Sequence, residues 1–211
     1  MEKPRILLLN ASTNEDGHSR EILRLCEEEL SGLGCETELF WIGPHHISSC
    51  RICGGCRETR ACVVDDVVPE FTELAKRADG FIVAIPQQRI KSEASIASFA
   101  SRCIYSAGEV FRLKPAVCVT AALRTGDSLG RKRMTKCFTD AEVPLVSALY
   151  WNVRSSDEGA RALRRDLANV NALYNAVRDM VYFVRCRQAG REAGVAEPER
   201  AGSEFSLPRS Y

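Results

Sequence analysis

Pro4-Arg5-Ile6-Leu7-Leu8-Leu9-Asn10 is a short, continuous apolar run, and Ala11-Ser12-Thr13-Asn14-Glu15-Asp16-Gly17-His18-Ser19 follows it directly. A run without polar alternation reads as a strand buried on both faces, the kind a parallel sheet uses. Beyond the loop, Ile22, Leu23, Leu25, Cys26 and Leu30 recur at helical spacing. Ser19 is the expected N-cap of that helix, and Gly32 and Gly34 stop it. The loop therefore joins a buried strand to a helix N-terminus, where backbone N–H groups and the helix dipole form a phosphate cradle. Ser and Asn are also common plain helix caps, so the pattern alone leaves both readings open.

Working outward, the same alternation repeats along the chain. Thr37 to Trp41 reads as a second strand, Val67 to Ala78 as a helix with Pro69 in its first turn, and Gly80 to Ile85 as an all-apolar strand ended by Pro86. Ser92 to Tyr105 is expected to be helical, Ala116 to Ala121 a strand, Asp127 to Thr139 an amphipathic helix and Pro144 to Ala148 a fifth short strand. A long helix is expected from about Ser156, with Leu163, Leu167, Val170, Leu173, Tyr174, Val177, Met180, Val181 and Val184 on one stripe. After Gly190 the composition turns polar, so residues 1–190 form one expected domain and residues 191–211 an irregular tail. Five strands alternating with five helices describe an α/β fold, an open parallel sheet covered on both faces. Ligands in such sheets sit at the carboxyl ends of the strands.

Composition narrows the classes of function. The 29 basic and 28 acidic residues give a formal charge of +1, so no global field draws the chain to nucleic acid or to a membrane surface. No apolar run approaches the length of a membrane span, and Met1-Glu2-Lys3-Pro4 leads straight into a strand rather than a signal peptide. The expected location is the cytoplasm and the expected partners are small molecules or protein subunits. The cluster Arg131-Lys132-Arg133 reads as a solvated helix face.

Four of the ten cysteines fall within 13 residues, in Cys50-Arg51-Ile52-Cys53-Gly54-Gly55-Cys56-Arg57-Glu58-Thr59-Arg60-Ala61-Cys62. Thiols at C-x2-C-x2-C-x5-C spacing converge only if the chain folds back, which the Gly54-Gly55 pair permits. Three readings stay open for Cys50, Cys53, Cys56 and Cys62: a [4Fe–4S] cluster, a structural zinc, or packing with no metal. Cys118 falls in a buried strand and Cys35 in a turn. Cys26, Cys103, Cys137 and Cys186 fall on helices and read as small apolar packing residues.

Taken together, the first loop, the strand end Phe40-Trp41-Ile42-Gly43, the cysteine run and Tyr150-Trp151-Asn152 resemble the flavodoxin-like NAD(P)H-dependent FMN oxidoreductases. That group also contains the iron–sulfur flavoproteins, and the resemblance runs from about residue 5 to residue 195. It implies a flavodoxin-like five-stranded parallel sheet of order 2-1-3-4-5 with helices on both faces. The family's phosphate loop reads Gly-Ser-Pro-Arg-x-x-Gly-Asn-Thr, so the resemblance places FMN phosphate at Ser12, Asn14, Gly17, His18 and Ser19. Asn14 stands where the family has arginine, and His18 where it has asparagine. The second flavin loop, Ser-Pro-Val-Tyr followed by an aromatic and a small residue in relatives, is here Ile85-Pro86-Gln87-Gln88-Arg89-Ile90-Lys91 with only the proline retained. Where relatives carry an Arg-Arg-Gly-Gly run after strand four, this chain keeps Arg124 and Gly126. Arg124 is open to pairing with a flavin carbonyl or a nucleotide phosphate, or to being a solvated arginine near a helix start.

The resemblance implies an FMN-dependent enzyme that takes hydride from NAD(P)H as co-substrate and reduces a small electron acceptor, a quinone, an aromatic or the [4Fe–4S] cluster. The cofactor carries that chemistry, so no catalytic acid or base is required. The departures at Gln87 to Lys91 motivate an alternative, a non-catalytic homologue that has lost flavin and acts as a subunit or binding module. The resemblance also implies a homodimer or homotetramer; Tyr150-Trp151-Asn152 and the long helix's stripe are open to forming an interface, or the helix covers one face of the sheet and does only that.

Overall fold

The computed structural model describes residues 2–86, 90–122, 129–152 and 160–199. In chain order it contains β1 (Arg5–Asn10), α1 (His18–Gly32), β2 (Glu36–Trp41), α2 (Cys56–Thr59), α3 (Val67–Arg77), β3 (Gly80–Pro86), α4 (Ile90–Ala107), β4 (Ala116–Ala122), α5 (Leu129–Asp140), β5 (Leu145–Asn152) and α6 (Leu167–Glu192). The five strands form one sheet in the order β2-β1-β3-β4-β5, every pairing parallel.

The apolar runs that suggested two-sided burial divide residue by residue between the two faces. Leu7 and Leu9 of β1, Phe81, Val83 and Ile85 of β3, and Ala116 and Cys118 of β4 meet Phe71, Phe99 and Phe138 from α3, α4 and α5. Their neighbours Ile6 and Leu8, Ile82 and Ala84, and Val117 and Val119 meet α1 and α6 on the other side. This is the period-two geometry of a strand, with both phases apolar. β2 lies at the edge, and only Phe40 of its six residues is buried. Glu36 and Glu38 there keep an exposed edge charged.

Several boundaries differ from the sequence expectations, each for a local reason. α1 starts at His18 with Gly17 as N-cap, two residues ahead of Ser19, which is buried. Its far end closes as expected on Gly34, at φ +72°, with Cys35 N–H donating to the Leu30 carbonyl at 3.0 Å. β5 runs on to Asn152, so Trp151 lies within the sheet, beside Ala121 of β4, rather than past its end. α6 begins at Leu167 rather than near Ser156 because Asp166 caps it, accepting from Asn169 N–H at 3.3 Å. A 3-10 segment, Ala160–Arg165, precedes it and carries Leu163, while Leu167 is exposed and not part of the buried stripe.

Trp151 is buried, with its indole N–H donating to Asp166 Oδ2 at 3.2 Å, and packs in the same layer as Leu173, Val177 and Met180. The stripe of α6 and Trp151 thus belong to the core of this chain, the stripe covering one face of the sheet. Cys186 is exposed rather than packed, whereas Cys26, Cys103 and Cys118 are buried as expected. Among the described residues no helix is long and apolar enough to cross a membrane.

Phe71 of α3 is the hub of the α3–α4–α5 layer, with ring centroids 5.2 Å from Phe40, 5.0 Å from Phe99 and 6.1 Å from Phe111. Phe71→Ala is expected to lower the free energy of unfolding by about 3–5 kcal/mol, measured by urea denaturation. A loss below about 1 kcal/mol would contradict that hub role.

Candidate functional site

β1 is flanked by β2 on one side and β3 on the other, so the chain's crossings reverse direction at its carboxyl end. The loop that leaves there is held from three strands. Ala11 N–H donates to the Ala84 carbonyl of β3 at 3.0 Å, Ile42 N–H donates to the Asn10 carbonyl at 3.2 Å, and the Trp41 indole donates to the Ser12 carbonyl at 2.6 Å. Within the loop, Asn10 is fully buried and works in both directions, its Oδ1 accepting from Ser12 N–H at 3.1 Å and its Nδ2 donating to the Glu15 carbonyl at 3.0 Å. Ser12 Oγ accepts from Asn14 N–H at 3.1 Å. A Cβ on Gly17 would meet the Asn14 side chain at 3.3 Å, so these two residues pack directly together.

The five loop residues expected at the phosphate, Ser12, Asn14, Gly17, His18 and Ser19, are therefore brought together at the start of a 15-residue helix. No side chain caps α1 at Gly17. Ser19 is 2% exposed, and its hydroxyl has no hydrogen-bond partner among the described residues. An uncapped helix N-terminus beside a buried, unpaired hydroxyl is the donor set that an anionic group completes. Burial lowers the pKa of His18, which keeps the imidazole neutral near pH 7. Glu21 in the first turn opposes an anion, but Arg24 and Arg164 engage its carboxylate at 3.2 and 2.5 Å. The loop thus fits a phosphate such as that of FMN.

Pro86 ends β3, paired with Ala121 of β4 at the same sheet edge. Gln87, Gln88, Arg89, Arg124 and Gly126 lie outside the described residues.

The cysteine run sits in the connection between β2 and α3. Its backbone folds back sharply: Ile52, Gly54 and Arg60 all take positive φ, +54°, +74° and +56°. For the β-branched Ile52 that conformation is strained, at a cost on the order of 1–3 kcal/mol that the surroundings must hold in place. Gly55 is needed for a different reason, since a Cβ there would fall 2.9 Å from both methyls of Val63. Cys50, Cys53, Cys56 and Cys62 line one narrow pocket of about 20 Å³ together with Arg102, Tyr105 and Ser106 of α4. That is room for about one water molecule. Cys50 and Cys53 on its wall are exposed. Among the described residues no three cysteine, histidine or acidic side chains converge on a point that would hold a single metal ion.

Burial pushes the Cys56 thiol up, a backbone hydrogen bond partly offsets this, and charge on Cys50, Cys62 and Cys53 raises it further. Four thiols that line one pocket are a donor set that bound cations stabilise. In donor chemistry the four thiols match a [4Fe–4S] cluster, which would take one thiolate per iron, rather than a single zinc, which would need all four on one ion.

Sequence reasoning missed what holds the connection. Ser95, Ser98 and Arg102, at positions i, i+3 and i+7 of α4, form one stripe against it. Ser95 Oγ accepts from Ile47 N–H at 3.4 Å, Ser98 Oγ lies 3.2 Å from Ser49 Oγ, and Arg102 donates to the Ser48 carbonyl at 3.3 Å. Arg102 also forms a two-pronged ion pair with Asp66, at 2.5 and 2.9 Å, and its Nη2 donates to Cys62 Sγ at 3.2 Å. An arginine in the stretch Ala97-Ser98-Phe99-Ala100-Ser101-Arg102-Cys103-Ile104 was the available signal.

The fold defines a flavodoxin-like α/β protein with a candidate anion-binding loop at the sheet's switch point. Residues 4–158 match the family model described as NADPH-dependent FMN reductase, and the chain belongs to that family. An iron-sulfur flavoprotein of Methanosarcina thermophila is 30% identical over 124 residues, which is 59% of this chain and 64% of that protein. The chain spans less than two thirds of the length of the curated relatives it matches. Among solved structures, an NAD(P)H:quinone oxidoreductase of Methanothermobacter marburgensis superposes with a TM-score of 0.57 at 18% identity, covering 85% of this chain and 98% of that one. RosB, solved with bound 8-demethyl-8-formylriboflavin-5'-phosphate, has a TM-score of 0.62 at 14% identity, covering 95% and 92%. At these identities the solved structures speak to the fold.

Because the Ser19 hydroxyl is unsatisfied in the protein alone, Ser19→Ala is expected to leave the ligand-free protein at least as stable as the parent, within about 0.5 kcal/mol. Loss of more than about 1 kcal/mol in urea unfolding without ligand would show that the hydroxyl already has a structural partner.

Proposed function

We propose that the protein is an FMN-dependent oxidoreductase that takes hydride from NAD(P)H and passes electrons to a small acceptor, with Cys50, Cys53, Cys56 and Cys62 holding a [4Fe–4S] cluster. The observation that carries the flavin reading is the buried, unpaired Ser19 hydroxyl at the uncapped start of α1. Membership of the NADPH-dependent FMN reductase family supports the choice of flavin and nicotinamide. The name of the Methanosarcina thermophila relative supports the cluster reading, as does the four-thiol pocket.

The flavin, when bound, accepts the hydride as an electron pair and releases the electrons to an acceptor. The chain's own residues bind and orient. Ser19 and the first N–H groups of α1 hold the phosphate, Ser12 and Asn14 fix the loop around it, and neutral His18 offers a further N–H. Asn10 and Trp41 lock the cradle to the sheet, so the ligand meets a preformed site rather than one it must order. Arg24 and Arg164 keep Glu21 from repelling the phosphate. Pro86 lies at the same sheet edge, and by the resemblance Gln87, Gln88, Arg89, Arg124 and Gly126 belong to the proposed flavin contacts. A quinone or aromatic acceptor and assembly into a homodimer or homotetramer belong to this proposal as well.

The test is anaerobic purification, reconstitution with FMN, iron and sulfide, and quantification of each against chain. The proposal expects one FMN per chain, flavin absorbance that bleaches on adding NADH or NADPH, and iron with matching sulfide. Ser19→Ala should weaken FMN binding about fivefold or more, the loss of roughly one charge-assisted hydrogen bond. Cys53→Ser should lose the iron while keeping FMN. Protein that takes up no added FMN would sink the flavin reading, and iron unchanged in Cys53→Ser would sink the cluster site.

A further inference from the structure

Arg102 is an unusual residue to find beside a thiol pocket. It lies in the middle of α4, it is 1% exposed, and it spans two structural elements. Its Nη1 donates to Asp66 Oδ2 at 2.5 Å and to the Ser48 carbonyl at 3.3 Å, while Nη2 donates to Asp66 Oδ1 at 2.9 Å and to Cys62 Sγ at 3.2 Å. Its Nε is buried with no partner among the described residues. Asp66 is itself fixed, since its Oδ1 accepts from Val68 N–H at 3.0 Å as the N-cap of α3. A carboxylate planted on one helix thus aims a guanidinium from another at one cysteine of four.

We propose that Arg102 is a positioning and tuning residue of the cysteine site: it fixes the Cys62 sulfur by an N–H···S hydrogen bond and raises the reduction potential of the cluster proposed there, with Asp66 setting how much of its charge the cluster feels. The inference rests on the cluster reading of Cys50, Cys53, Cys56 and Cys62. Two physical facts carry it. Reduction adds one electron to the cluster with no bond broken and no proton moved, so the product carries one more negative charge. A permanent cation held out of water beside a ligand sulfur stabilises that added charge, because burial removes the screening that solvent and salt provide at a surface. Hydrogen bonds to the sulfurs and the net charge around the cluster are the protein's levers on its potential. A plain structural clamp between α3 and α4 needs Asp66 and Ser48 but has no use for a donor on Cys62.

Asp66 gives the proposal its internal control. It neutralises part of the guanidinium's charge, so removing each partner's charge has opposite consequences. Arg102→Gln takes away the cation and the fork of donors. Asp66→Asn keeps size and capping capacity but frees the guanidinium's full charge. Arg102→Lys keeps the charge and loses the two-pronged geometry.

The experiment is a mediated spectroelectrochemical titration of the reconstituted protein with dithionite as electron donor, alongside iron and sulfide content per chain. Arg102→Gln is expected to retain iron and to lower the reduced-to-oxidised ratio at fixed potential about tenfold or more, a tenfold change being 59 mV for one electron. Asp66→Asn is expected to shift the ratio in the opposite direction, and Arg102→Lys to fall between Arg102→Gln and the parent. If Arg102→Gln fails to hold iron, the opposed signs of Asp66→Asn and Arg102→Lys against the parent carry the test. Potentials unchanged in iron-loaded variants, or moved in the same direction by Asp66→Asn and the Arg102 variants, would overturn the tuning role alone. A parent protein that holds no iron after reconstitution would overturn the cluster reading beneath it.

Discussion

Burial of both faces of β1, β3 and β4 is the constraint from which the rest follows. With Ile6 and Leu8 facing one way and Leu7 and Leu9 the other, neither side of the sheet can be left to water. Helices must cover both, α1 and α6 on one face and α3, α4 and α5 on the other, and at one strand the direction of winding reverses. That strand is β1, and its exit loop, between Asn10 and His18, lies in the gap between neighbouring crossings. The anion cradle is built in that gap. Asn10, fully buried at the end of β1, turns a strand's last residue into the anchor of a polar loop by using its amide as donor and acceptor at once.

The cysteine connection solves a different problem, because it has little core of its own. It is an excursion between β2 and α3 whose turns depend on Gly54, on the closeness of Gly55 to Val63 and on a strained Ile52. What over-determines that conformation is polar, the Ser95–Ser98–Arg102 stripe of α4 and the Asp66 cap of α3. A buried ion pair of this kind seldom adds net stability over an apolar pair of similar volume. Its retention therefore calls for another use, and the contact of Arg102 with Cys62 supplies one.

Much of this fold was legible in the sequence because its main elements depend on properties that a run of residues carries by itself. Leu7-Leu8-Leu9 and Phe81-Ile82-Val83-Ala84-Ile85 announce strands buried on both faces, and the sheet order follows from the resemblance that their loops supported. The five loop residues from Ser12 to Ser19 were legible for the same reason, being local in sequence. What the sequence hid depends on partners far along the chain. Trp151 was expected just past the last strand, but it lies within β5 with its indole donating to Asp166, and the same aspartate starts α6 later than periodicity suggested. Ser19 looked like a cap, but its buried hydroxyl has no partner within the described protein. Arg102 was the least legible of all, since a single arginine on a helix ordinarily faces water. Only Asp66, 36 residues away, makes it a buried one.

The central claim is that the cradle at the start of α1 is a phosphate site and that flavin binding depends on it. Comparing the affinities of FMN and riboflavin for the protein by fluorescence quenching tests it most directly, since the two ligands share the ring and differ in the phosphate. The account predicts FMN binding about a hundredfold tighter or more, equivalent to roughly 2.7 kcal/mol supplied by the helix N-terminus, Ser19 and their neighbours. Equal affinities for the two ligands would contradict it.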